Sequence, residues 1–123
     1  MRLLKKDGYC APYALRYISG LPEDVVLDVC SHYDWKQKWG MEEHEIVAAA
    51  SALKMRFRRI NLKRTGFYGE KLSVFCRAHN TGVFLVWTSG HILVVQNGVI
   101  IDPINEGYVG KDRAVTAALK FFK

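Results

Sequence analysis

The chain reads as an α+β protein: helices in the N-terminal half, then an antiparallel β-meander in the C-terminal half. Two observations carry this reading. Apolar residues recur at helical spacing up to about residue 53, whereas runs such as Val83-Phe84-Leu85-Val86 and His91-Ile92-Leu93-Val94-Val95 have the length and β-branched content of strands. Between two such runs stands Asn97-Gly98, the strongest short signal for a tight hairpin.

The elements follow in order. Cys10 to about Ser19 is a helix, with Pro12 in its first turn, where a missing N–H costs little, and Gly20 as its stop. Pro22-Glu23-Asp24 opens a second helix running to about Ser31, with Val25, Val26, Val29 and Cys30 on one face. His32 to Gly40 is an aromatic connection carrying Tyr33, Trp35 and Trp39, which read as packing residues. Met41 to Leu53 is a third helix, with Glu42-Glu43 at its start and His44 on its surface. Met55 to Leu62 is a strand, Gly66 to Gly69 a loop, and Glu70 to His79 a short helix closed by Asn80-Thr81-Gly82. The meander is Val83 to Thr88, His91 to Gln96 and Val99 to Asp102, stopped by Pro103. The pattern predicts a final amphipathic helix over Asp112 to Phe122.

The 123 residues correspond to one domain spanning 1–123. Half of them are hydrophobic and 12% aromatic, which is the composition of a packed chain rather than a disordered one. No apolar run approaches the ~20 residues needed to span a bilayer, so no membrane partner is expected. Basic residues at the start lack an apolar stretch behind them, which argues against an export signal. The three cysteines, Cys10, Cys30 and Cys76, are then free thiols in a reducing cytoplasm. Cys30 and Cys76 lie in apolar stretches and read as core. Cys10 differs, because it follows Asp7-Gly8-Tyr9 at a helix start.

A net charge of +6 points to an acidic partner or nucleic acid. The basic residues concentrate in 54–64, where Arg56, Arg58 and Arg59 are the candidate phosphate contacts; the plainer reading is a strand with a solvated basic face. Cys30-x-His32 and Cys76-x-x-His79 offer metal-ligand types, but each cysteine falls inside a helix pattern, so no metal and no cofactor are expected. Phosphate-cradling glycine motifs, metalloprotease helix motifs and serine-nucleophile elbows do not occur in the sequence.

Cys10, His91 and Asp102 supply a nucleophile, a base and an orienter. A helix N-terminus stabilises a thiolate through its unpaired N–H groups and dipole. With Asn97-Gly98 as a two-residue turn, Gln96 faces Val99, Val95 faces Ile100, Val94 faces Ile101 and Leu93 faces Asp102. His91 is then diagonal to Asp102 and shares its face, so a carboxylate can fix one imidazole nitrogen while the other serves the thiol.

The Cys10 helix start with its alanine-rich continuation, the run Ser89-Gly90-His91-Ile92-Leu93-Val94-Val95, and the later Asn97-Gly98-Val99-Ile100-Ile101-Asp102-Pro103 resemble the papain-like cysteine peptidases. Within that superfamily the chain is most similar to small bacteriocin-processing-type peptidases and small peptidase-like proteins of tailed phages. The likeness spans nearly the whole chain and implies a papain-like α+β fold, with N-terminal helices packed on the C-terminal meander. It also implies a thiol hydrolase or acyl transferase for protein or peptide substrates, with Cys10 as nucleophile, His91 as general base and acid, and Asp102 as orienter. The family's upstream Gln or Asn oxyanion donor is missing: Arg2, Lys5, Lys6 and Asp7 stand there instead, so Lys6 or a backbone N–H of Gly8 or Tyr9 would have to serve. Asp7-Gly8-Tyr9-Cys10 is also similar to the Asp-Gly-x-Cys of ovarian-tumour-type deubiquitinases, which makes Asp7 an alternative orienter. The competing class is a non-catalytic binding or inhibitor protein of phage type that uses this fold and contacts nucleic acid through 54–64.

Overall fold

A computed structural model describes residues 10–33, 41–60, 62, 70–88, 91–101 and 114–122. The chain forms two compact units, Met1–Arg56 with Lys123, and Phe57–Phe122.

The first unit is helical. α1 is Cys10–Ser19, α2 is Glu23–Ser31 and α3 is Glu43–Ala52. Gly20 ends α1 with φ +71°, and its N–H donates to the Arg16 carbonyl at 3.0 Å. Pro22 caps α2, and the acids Glu23 and Asp24 occupy its first turn, where the dipole favours them. α3 begins with a capping box: the Glu42 N–H donates to Glu45 Oε1 at 2.9 Å, while the Glu42 carboxylate accepts from the Glu45 backbone N–H. α1 packs beside α2, and α2 beside α3. Ala11, Ala14, Leu15, Val26, Cys30, Ile46, Ala49 and Ala50 are buried. His44 is exposed as expected, with Nδ1 3.5 Å from Glu42.

The second unit is a sheet with one helix. Its strands are β1 (Arg56–Arg59), β2 (Glu70–Lys71), β3 (Val83–Thr88), β4 (His91–Gln96), β5 (Val99–Ile101) and β6 (Ala114–Phe122); the helix is α4 (Leu72–Ala78). The strand order is β1-β6-β3-β4-β5, with β2 pairing β6. β3, β4 and β5 form the expected antiparallel meander. The α+β class is therefore correct. The hairpin turn has φ 51° at Asn97 and 79° at Gly98, as a type I′ turn requires. Gln96↔Val99, Val95↔Ile100 and Val94↔Ile101 pair as counted from the sequence.

One buried cluster joins Leu72 and Phe75 of α4 to Phe84, Val86, Leu93, Val95, Val115 and Ala118 of the sheet. Phe75 and Phe84 meet edge-on at 5.5 Å. The alternate positions Leu85, Val94 and Leu119 register across three strands and are buried too. Burial on both sides explains why these strands read as continuous apolar runs.

Two elements differ from expectation. The final segment is a strand, not an amphipathic helix: β6 lies between β1 and β3 and pairs antiparallel with β3 along its length. Ala117, Ala118, Leu119 and Lys120 are good helix formers, but hydrogen bonding on both sides and burial of Val115, Ala117, Leu119 and Phe121 at every second position outweigh that propensity. The expected helix from Glu70 starts only at Leu72, because Glu70 and Lys71 pair with Val115 and Ala114 of β6.

Candidate functional site

Each candidate residue has a definite place along the chain. Cys10 is the first residue of α1, in the first unit. His91 is the first residue of β4, in the second unit, and its backbone pairs with Thr88. Asp102 follows Ile101, the last residue of β5, and lies outside the described residues, as do Asp7 and Lys6. The β4–β5 register holds without a shift through Val94↔Ile101, the last pair before the one that counting assigns to Leu93 and Asp102.

The end of the sheet at His91 has a feature the sequence did not reveal. β3 and β6 change register between Trp87 and Thr88: Trp87 pairs with Ala117 but Thr88 with Val115, leaving Thr116 as a bulge. Thr116 Oγ1 donates to the Trp87 carbonyl at 3.3 Å and fastens the bulge. Thr88, the partner of His91, is buried. A helical pattern over 112–122 carries no sign of such a bulge, which exists only once this segment pairs with β3.

The other two thiols are placed for packing. Cys30 and Cys76 are free of disulfides. Cys30 is fully buried on α2, and desolvation pushes its pKa up to about 12. Cys76 packs against the α4 cluster, and burial raises its pKa as well. Neither environment favours a thiolate. His79 stacks on Phe75 at 4.4 Å between ring centres. Among the described residues, no group of three or more His, Cys, Asp or Glu side chains could hold a metal ion.

The basic segment forms β1, where Arg56, Arg58 and Arg59 are exposed. Phe57 between them is half-buried against Phe121, with ring centres 5.5 Å apart. The expected strand with a basic face is thus present, over Arg56–Arg59 rather than to Leu62. Among the described residues no helix is long and apolar enough to cross a membrane.

Comparison with family models, with curated proteins and with solved structures gives no match for this chain.

Proposed function

We propose that the protein is a papain-like thiol hydrolase acting on amide or isopeptide bonds of protein or peptide substrates in the cytoplasm. The observation that carries the reading is the position of Cys10 as the first residue of a ten-residue helix, while Cys30 and Cys76 sit where burial disfavours ionisation. The unshifted β4–β5 register supports Asp102 as the partner of His91. In the reaction the Cys10 thiolate attacks the carbonyl carbon, and the backbone N–H of Cys10, aided by Lys6 or a neighbouring N–H, holds the oxyanion. The protonated His91 gives its proton to the leaving amine, and a thioester remains. His91 then takes a proton from water as its oxygen attacks the thioester, which releases the acid and restores the Cys10 thiolate beside a protonated His91. Asp102, or alternatively Asp7, keeps the imidazole in the required tautomer.

Vinyl sulfones on varied peptides and on ubiquitin-like tails, followed by mass spectrometry, test this reading. A single adduct on Cys10, lost in Cys10→Ala and strongly reduced in His91→Ala, is the expected result. Adducts that form only after unfolding, or on Cys76 first, would contradict it.

A second reading is favoured by the exposure of Arg56, Arg58 and Arg59 on β1: a binding protein whose cationic strand contacts nucleic acid. In that case function survives Cys10→Ala and fails when the three arginines become alanine.

A further inference from the structure

One side of the second unit carries a strip of aromatic rings and cations that crosses four neighbouring segments. His79, just after α4, meets the Phe84 ring of β3 at 5.2 Å. Lys120 Nζ of β6 lies 5.7 Å from the centre of Phe84 and 5.6 Å from the centre of Phe122. Arg58 Cζ of β1 lies 5.8 Å from the centre of Phe122. The order along the strip is therefore His79, Phe84, Lys120, Phe122, Arg58.

Phe84 is buried and forms the floor, with the Lys120 stem passing over it. Phe122 differs: it is 42% exposed, and it is the one exposed phenylalanine among the described residues. Two cations within 6 Å hold that ring on the surface. β1 and β6 contain no acidic residue, and Arg58 and Lys120 bring their charge to this side. The strip thus offers positive charge beside a π surface, on a chain of net charge +6.

We propose that this strip binds single-stranded nucleic acid, with one base stacked on the Phe122–Arg58 pair and the adjoining phosphates neutralised by Arg58 and Lys120. The proposal rests on the second, binding reading of β1 and is independent of the thiol chemistry. Cations alone would serve a duplex or an acidic protein equally well. An exposed ring among them favours a ligand with free base faces, which a single strand has and a duplex hides. DNA and RNA strands share this chemistry.

Fluorescence anisotropy of the full chain with labelled oligothymidylate and oligouridylate of about 12 nucleotides tests it, beside a duplex of the same length and polyglutamate. Either single strand is expected to bind more tightly than the duplex, and polyglutamate not to compete with the bound strand. Phe122→Ala, and Phe122→Leu, which keeps apolar bulk but removes the π face, are expected to weaken binding about 5- to 100-fold, while Phe122→Trp retains it. Arg58→Gln and Lys120→Gln should each reduce the slope of log K against log salt by about 0.7, the single-strand value per phosphate. Arg16→Gln on α1 should leave that slope unchanged. Strand binding that ignores Phe122→Leu but fails with Arg58→Gln overturns the strip and leaves a merely basic β1. Equal binding of the duplex, or displacement of the strand by polyglutamate, overturns the single-strand assignment. Absence of any binding removes both.

Discussion

Burial treats the cysteines of this chain according to their neighbours. Cys30 has no water contact on α2, and the cost of desolvating a thiolate lifts its pKa to about 12. The consequence for stability has a definite sign. Above about pH 9 the unfolded chain releases the Cys30 proton while the native state keeps it, so the native state binds more protons and stability falls as pH rises. One such group contributes a slope of up to about 1.4 kcal/mol per pH unit between the unfolded and native pKa values. Urea unfolding at a series of pH values from about 8.5 to 10.5 should show a steeper loss for the wild-type chain than for Cys30→Ala. Equal slopes would mean that the thiol is hydrated in the native state. The packing role of Cys30 and Cys76 was already legible in the sequence, because both lie in apolar runs.

At the scale of elements, the meander was legible because its turn chemistry is local. Asn97 and Gly98 both need positive φ, and that need fixes the register of β4 and β5 before any tertiary contact is known. The turn is also tied to the preceding segment. The Asn97 N–H donates to the Gly82 carbonyl at 2.9 Å, and the Gly82 N–H donates to Asn97 Oδ1 at 3.0 Å. A Cβ at Gly98 would meet the Cys76 carbonyl oxygen at 3.1 Å with φ at +79°. Gly98→Ala should therefore cost about 1–3 kcal/mol, read as a lower midpoint in urea with an unchanged m-value. A neutral substitution would show that the turn relaxes freely away from α4. β6 was not legible for the opposite reason. Ala-Ala-Leu-Lys satisfies helical spacing as well as strand alternation, and only long-range pairing with β3 decides between them. The bulge at Thr116, and the meeting of Lys120 and Phe122 with Arg58, follow from that pairing and so escaped the sequence as well.

At the scale of the molecule, the helical unit Met1–Arg56 carries Cys10, and the sheet unit Phe57–Phe122 carries His91. Helices before sheet, the signature of the α+β class, could be read from the change in apolar period near residue 55. The coupling of thiol and imidazole is the claim on which the hydrolase reading depends, because a cationic imidazole adds to the helix start in holding the thiolate and supplies the proton for the leaving amine. It is tested most directly by the pH dependence of iodoacetamide alkylation at Cys10 in the native protein, with and without His91→Ala. The account predicts a rate that rises with an apparent pKa toward or below neutrality in the wild-type chain and moves up toward about 8.5, the value of a free thiol, when His91 is removed and only the helix start remains. Titration of Cys10 near the free-thiol value in both proteins would contradict it.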